Sequence, residues 1–313
     1  MNKIKEWLAT TEYKNYNIEL ASADASFRQY YRLSDGDKTV LLMDSSLEKT
    51  SLKPFLDITK RLLHVEVNAP HILEKNIKDG FLIIQDFGNT RYLNVLNDRN
   101  FKELYEKAID EIIKMQNADV SDLPVYDKEF LHVEMDLMQE WYLEKNLGLS
   151  LHVEQKELIS KTLNLISDIV LEQPQDVFVH RDFHSRNIMI TSENEIGIID
   201  YQDAMNGAIT YDLVSLLKDC YVEYPREEIL KLVLQFKNKL NLLVDNDTFI
   251  KYFDFMGLQR HIKVLGIFSR LYLRDGKDGY LKDIPLTLKY VIETANRYEE
   301  TKELAKLLQT YTK

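Results

Sequence analysis

The stretch Val179-His180-Arg181-Asp182-Phe183-His184-Ser185-Arg186-Asn187-Ile188-Met189-Ile190, followed by Ile198-Ile199-Asp200-Tyr201-Gln202-Asp203, decides how this chain reads. Short apolar runs at 177–179, 188–190 and 196–199 predict strands, and Ser192-Glu193-Asn194 supplies the turn between the last two. Polar residues packed between such strands cost kilocalories per group if left without partners. A loop like this is therefore held by mutual hydrogen bonds or by an ion. Asp182, Asn187 and Asp200 offer two carboxylates and an amide oxygen, the hard donors that Mg²⁺ prefers, and too few to cage it without water and phosphate. A metal site that incomplete is one a nucleotide completes. The simpler alternative, a self-satisfied polar turn, requires three apolar strands to frame these positions by coincidence.

Working outward, Tyr30–Leu33 and Thr39–Met43 flank Ser34-Asp35-Gly36-Asp37 and predict a hairpin. Leu52, Phe55, Leu56, Thr59, Leu62 and Leu63 follow helical spacing to about His64. A second hairpin is expected around Asp79-Gly80, between strands at 72–75 and 81–85, and Asp86-Phe87-Gly88-Asn89 reads as a hinge. Helices are expected from near Arg99, over 130–146 and 155–171, and beyond Leu213. The division is a β-rich N-terminal lobe over 1–88 and a helical C-terminal lobe over 89–313 with a small β insert, an α+β fold.

Composition narrows the function. The chain of 313 residues is 45% apolar, which excludes disorder, and no apolar stretch is long enough to span a membrane. A net charge of −11 argues against a nucleic-acid or anionic-membrane partner. The only cysteine, Cys220, allows neither a disulfide framework nor a thiolate zinc cluster; it is expected to be buried and inert. His64, His71, His132 and His152 lack metal-ligand spacing. The first residues lack a secretory signal, so a cytoplasmic location is expected.

His180-x-Asp182-x₄-Asn187, with Asp200 thirteen residues further on, resembles the catalytic and metal-binding loops of protein-kinase-like enzymes. Asp200-Tyr201-Gln202 stands where protein kinases have Asp-Phe-Gly. Together with Phe183-His184, this is more similar to the small-molecule branch, the aminoglycoside phosphotransferases and choline kinases. HRDFHSRN at 180–187, IIDYQDAMNGAITYDLVSLLKDCY at 198–221, GLQRHIKVLGIFSRLYLRDGKDGYLKDIP at 257–285, ASFRQYYRL near 25 and WYLEKNLGL near 141 resemble one subgroup. These are the anomeric N-acetylmuramate/N-acetylglucosamine kinases of bacterial cell-wall sugar recycling.

The resemblance implies a bilobal protein-kinase-like fold, ATP and Mg²⁺ as cofactors, and an amino sugar as substrate, phosphorylated at its C1 hydroxyl. It implies Asp182 as the base, Asn187 and Asp200 as the Mg²⁺ ligands, His180 as a brace, and Asp212 as a side chain bonding back to the catalytic loop. Asp212 also reads as an acid at a helix N-terminus. His184 and Asp203 are the candidates for sugar hydroxyls. Gln259, Arg260, His261 and Lys263, then Arg270, Arg274 and Lys277, form either a cationic site for an anionic substrate group or a solvated helix face. Of these, Arg274 and Lys277 are expected in a turn that lets them converge on a pocket. Trp141 and Tyr142 are either a sugar platform or core.

Two departures stand out. Met43 occupies the position where protein kinases carry a strand lysine, so Arg28 or Arg32 is the candidate replacement, with Gln85 and Phe87 as further nucleotide contacts. Residues 21–27, the expected phosphate loop, contain no glycine. Another small-molecule kinase, or a nucleotide-binding protein without catalysis, remains the alternative to a sugar kinase.

Overall fold

The computed structural model describes residues 1–22 and 28–311; of the segment expected to be a phosphate loop, residues 23–27 lie outside the described residues. Packing divides the chain into two compact units, Met1–Val95 with Arg186–Ala204, and Leu96–Ser185 with Met205–Lys313. Residues 186–204 thus group with the N-terminal segment rather than with the chain on either side of them.

In the first unit, β1 (Asn17–Ser22), β2 (Gln29–Asp35), β3 (Lys38–Asp44), β4 (Ile72–Asn76) and β5 (Phe81–Gln85) form an antiparallel sheet in the order β1-β2-β3-β5-β4. The β2–β3 pairing runs from Gln29↔Asp44 to Asp35↔Lys38, so the turn falls at Gly36-Asp37 as the sequence predicts. Alternation along the strands gives the sheet two distinct faces. On one, Leu33, Leu42, Phe81 and Ile83 pack under Ile4 and Leu8 of α1 (Asn2–Leu8). The other carries Tyr30 opposite Met43 opposite Leu82, with Arg32 one step along. Met43 is fully buried there.

The helix α2 (Leu52–His64) buries Leu52, Phe55, Ile58, Thr59 and Leu62, the predicted stripe with Ile58 in place of Leu56 and Leu63. A short α3 (Tyr92–Val95) closes the N-terminal part of the unit.

The second unit is mainly helical: α4 (Phe101–Met115), α5 (Lys128–Leu137), α6 (Val153–Glu172), α7 (Tyr211–Leu217), α8 (Arg226–Lys239), α9 (Asn246–Asp275), α10 (Ile284–Ala295) and α11 (Lys302–Tyr311). A strand pair, Val177–Val179 with Met205–Gly207, interrupts them. The thirty residues of α9 start at Asp245, whose side chain accepts the Thr248 N–H at 2.9 Å, and stop at Gly276, where the backbone turns left-handed. Its middle turns are buried on every side because α5, α6, α7 and α10 all pack against it. This corrects the solvated-face alternative: Gln259, Arg260, His261 and Lys263 are each no more than 4% exposed.

The helix expected over 130–146 is α5 followed by a wider π-type winding over Met138–Asn146. The change falls where α9 presses closest. A Cβ on Gly266 would sit 2.3 Å from the Leu137 carbonyl carbon, so only glycine fits. Tyr142 in this winding is core, whereas Trp141 is partly exposed under the Lys145 ammonium, 3.6 Å from its ring centroid. Among the described residues no helix is long and apolar enough to cross a membrane.

Replacing Gly266 by Ala gains about 1 kcal/mol of helix propensity but forces a backbone clash costing about 1–3 kcal/mol. Because the clash is with backbone, net destabilisation is expected, and urea denaturation of Gly266→Ala measures it.

Candidate active site

In the numbering of strands along the chain, β6 is Val177–Val179 and β9 is Met205–Gly207, with the hairpin β7 (Ile188–Ile190) and β8 (Ile196–Ile198) between them. In the second unit, β6 delivers the loop that carries Asp182. Asp212, 1% exposed in the first turn of α7, accepts the His180 N–H at 2.7 Å and the Arg181 N–H at 3.0 Å. Burial pushes its carboxyl above the usual range, although the nearby His180 and these two N–H groups pull the other way.

Arg181 holds φ at +75°, a left-handed conformation that a non-glycine residue keeps only when its surroundings impose it. Its carbonyl accepts from Arg260 Nη1 at 2.6 Å and from Ser215 Oγ at 3.3 Å. Downstream, the His184 N–H donates to the Asp182 carbonyl at 3.0 Å, and Ser185 donates its N–H and hydroxyl to Asp219. The His184 ring packs edge-on against Tyr221, and His180 packs against the buried Phe183. The His180, Arg181 and Ser185 N–H groups and the Arg181 carbonyl are thus tied to α7, to α9 or to the turn after α7.

The side chain of Arg181 turns to a residue that the sequence reading did not single out. Glu134 of α5 accepts Arg181 Nη2 at 2.6 Å, Gln259 Nε2 at 3.1 Å, Lys263 Nζ at 3.5 Å and the Tyr126 hydroxyl. Lys263 also donates to the Tyr211 hydroxyl at 2.6 Å. Burial alone would raise the Glu134 carboxyl, but Lys263 and Arg181, with Tyr126 and Gln259, outweigh it and bring it below the usual range. The available signal was an acid beside the apolar stripe of Leu131, Met135 and Met138. Asp219, which grips Ser185, also went unremarked.

In the first unit, the β7–β8 hairpin pairs Ile188 with Ile198 and Ile190 with Ile196. It is fastened by Ile190 N–H to the Thr90 carbonyl at 2.8 Å, and by Asn68, which donates to the Ile196 carbonyl and accepts from the Ile198 N–H. Gly197 lets the Phe87 ring lie flat on β8, where a Cβ would come within 2.5 Å of it. The hairpin brings Asn187 and Asp200 side by side, Nδ2 to Oδ2 at 3.3 Å. Gln202 reaches from Asp200 Oδ1 at 3.0 Å to Asp203 Oδ2 at 3.4 Å.

Asp200 itself takes φ +67° and is exposed, while its neighbour Tyr201 is fully buried, stacked on Phe55 at 5.3 Å and bonded to Thr59 at 2.8 Å. Burying Tyr201 is what turns Asp200 outward. Among the described residues no three His, Cys, Asp or Glu side chains form a ready-made metal cage. An open carboxylate beside an amide fits a hard cation whose remaining ligands are water and phosphate.

Of the nucleotide candidates, Arg32 is engaged by the chain itself. Its Nε and Nη2 bind the two Asp86 oxygens at 2.6 and 2.9 Å, Nη2 reaches the Gly88 carbonyl, and Nη1 donates to Asn89 Oδ1 at 3.0 Å. The segment read as a hinge is therefore clamped to β2. Arg28 is buried, donating to Ser51 Oγ and its carbonyl, with its guanidinium over the Phe55 ring that also stacks on Tyr201. Gln85 ends β5 with its N–H on the His71 carbonyl, and Phe87 is the ring under β8.

Arg274 is not in a turn: it occupies the last turn of α9, half-exposed and bidentate to its neighbour Asp275. It lies fourteen residues beyond Arg260, about 21 Å of helix rise, and so does not join the Asp182 cluster. Lys277 follows the Gly276 cap. Cys220 is buried, and burial pushes its thiol up to about 11.

A braced Asp loop in a mainly helical unit, and a hairpin with paired oxygen donors in a unit built on a five-stranded sheet, define a phosphotransferase of protein-kinase-like fold. Residues 17–238 match the phosphotransferase enzyme family. The chain is 40% identical to an N-acetylmuramate/N-acetylglucosamine kinase of Neisseria meningitidis serogroup B, covering 98% of this chain and 94% of that relative. It therefore belongs to the phosphotransferase enzyme family. Its fold is similar to that of the ADP-bound aminoglycoside phosphotransferase APH(2'')-Ib, 18% identical with TM-score 0.65 over 93% of this chain and 98% of the other. It is likewise similar to a choline kinase from Streptococcus pneumoniae, 11% identical with TM-score 0.65 over the same shares.

The Arg32 clamp is open to test. Asp86 is 1% exposed, so Arg32→Ala strands a buried carboxylate and should lower the unfolding free energy by about 3 kcal/mol. Adding Asp86→Asn should recover more than half of that loss in the same denaturation experiment. A role confined to phosphate binding would instead leave stability unchanged in both variants.

Proposed function

We propose that this chain is an ATP- and Mg²⁺-dependent sugar kinase that phosphorylates the anomeric C1 hydroxyl of N-acetylmuramate, N-acetylglucosamine or both, in cytoplasmic recycling of cell-wall sugars. The observation that carries the proposal is the 40% identity, along nearly the whole chain, to a kinase of that name. The complete set Asp182, Asn187 and Asp200 supports catalysis over nucleotide binding alone, since a binding protein has no need of an acceptor at Asp182. The two-lobe division near residue 88, with nucleotide in the N-terminal lobe and sugar in the C-terminal lobe, belongs to the same proposal.

In this reading the fold supplies position and charge neutralisation rather than covalent chemistry. Asp182 accepts the hydrogen bond of the sugar hydroxyl and finally its proton, as the oxygen bonds to the γ-phosphorus and ADP leaves. Asn187 and Asp200 would hold Mg²⁺, which would supply charge neutralisation for the phosphates. His180 and Asp212 keep the Asp182 loop in shape. His184 and Asp203, each flanking the donor set, contact sugar hydroxyls. Arg28, which donates to the uncharged Ser51, and Arg32, which is paired with Asp86, are the candidates for the missing strand lysine. Arg274 and Lys277 stand as candidates for an outer cationic rim of the substrate site.

The test is ADP release with ATP, Mg²⁺ and a panel of N-acetylmuramate, N-acetylglucosamine, galactose, choline and kanamycin, with ³¹P NMR of the product. A phosphate on C1 of an N-acetylated sugar is the expected result. Turnover of choline or kanamycin alone would move the substrate, and nucleotide binding without any turnover would contradict the proposal. Asp182→Ala should lower turnover by about 100-fold or more while retaining nucleotide affinity. Asp200→Ala should abolish the Mg²⁺-dependent part of nucleotide binding, measured by calorimetry with and without the metal.

A further inference from the structure

Arg260 is tied both to the backbone of the Asp182 loop and to its carboxylate. Lys263 is taken up by Tyr211 and Glu134, and Arg181 by Glu134. Arg260, 4% exposed, holds the Arg181 carbonyl through Nη1 at 2.6 Å and brings Nη2 to 3.8 Å from Asp182 Oδ1. Its guanidinium carbon also lies 5.7 Å from the Tyr211 ring centroid. One side chain of α9 therefore fixes the peptide before Asp182 and confronts the Asp182 carboxylate.

The electrostatic consequence is specific. Asp182 keeps 46% of its side-chain surface open. The protein mass around it disfavours its charge, yet Arg260, then Lys263, His184 and Arg181, outweigh that effect and hold the carboxyl at about 2. The groups facing it are Arg260 and Lys263 from α9, and Arg181 and His184 from its own loop. Asp212, from α7, is the acid that shares Arg260 with it. A general base works best with a pKa near the working pH. A carboxyl so far below that is a weak proton sink and a constant anion. A loose phosphoryl-transfer transition state tolerates this, since it needs little proton removal before the bond to the leaving group has lengthened.

We propose that Arg260 is a positioning residue for Asp182: it fixes the peptide that precedes Asp182 and sets a guanidinium against the carboxylate that, in the kinase reading, receives the hydroxyl proton. The hydroxyl oxygen forms the new bond to the γ-phosphorus. The bond from that phosphorus to the bridging oxygen breaks, its electron pair leaves with ADP, and the hydroxyl proton passes to Asp182. The catalytic half of this statement rests on the kinase reading above; the coupling of Arg260 to Asp182 does not.

The test is NMR titration of full-length protein carrying ¹³Cγ-labelled aspartate, over roughly pH 3–8, with the Asp182 resonance assigned by Asp182→Asn. A depressed folded pKa means that the anion persists until pH falls through about 2, so wild type should show no Asp182 midpoint in that window. Arg260→Gln should raise the midpoint into it, by about 1 unit or more, and Arg260→Lys should keep it low. Arg260→Met, which keeps the apolar stem without the charge, should move it the same way and carries the test if Arg260→Gln does not fold.

The acid limb of kcat/KM should move with the resonance. A merely structural role would lower kcat and leave that limb in place. An unmoved Asp182 resonance in a folded Arg260→Gln or Arg260→Met protein overturns the proposal. A moved resonance in a protein that phosphorylates nothing would uphold the coupling and overturn the kinase reading instead.

Discussion

One buried carboxylate carries the geometry of the second unit. Asp212 accepts two consecutive backbone N–H groups, those of His180 and Arg181, from its place at the start of α7. Both donors would otherwise be buried and unpaired, at about 1–3 kcal/mol each. The left-handed turn at Arg181 costs about 1–2 kcal/mol more and survives because it is fixed from several sides. Asp212 takes the N–H, Arg260 and Ser215 take the carbonyl, and Glu134 takes the guanidinium. Asp182 is the next residue, so its direction follows from that grip.

Around this loop the charges balance within the protein. Arg181, Arg260 and Lys263 face Glu134, Asp182 and Asp212, with Tyr126 and Tyr211 filling the remaining donor and acceptor sites. A buried ion pair contributes little net stability, but breaking one is expensive. Such a network therefore specifies one arrangement more than it strengthens the fold. The other donors, Asn187 and Asp200, are set by a different device: a short hairpin whose Tyr201 is anchored by Phe55 and Thr59. The chain passes from one unit to the other at Ser185-Arg186, inside the motif itself.

Much of this was legible in the sequence where the signal is local. The hairpins at Gly36 and Gly80 follow from Asp-Gly turns between apolar runs, and the strands around 180–200 from their short apolar triplets. The pairing of Met205–Gly207 with Val177–Val179 was not legible, because Met205-Asn206-Gly207 has no apolar pattern and its partner is distant in the chain. The burial of Arg260 and Lys263 was equally hidden. Charged residues at helical spacing read as a solvated face unless their partners are known, and those partners, Glu134 and Arg181, come from other elements. Asp182, Asn187 and Asp200 stand out by their spacing; the residues that hold the loop around Asp182 emerge only once the helices are packed.

The most direct test of this account is hydrogen exchange at the His180 and Arg181 amides in wild type and Asp212→Asn, in protein shown to be folded. An asparagine can accept one of the two bonds well but turns an N–H₂ toward the other donor. The account predicts that exchange at one or both amides accelerates about tenfold or more, while the amides of the β2–β3 pairing are unchanged. Equal protection of both amides in the two proteins would contradict it, and would mean that the loop is held by something other than Asp212.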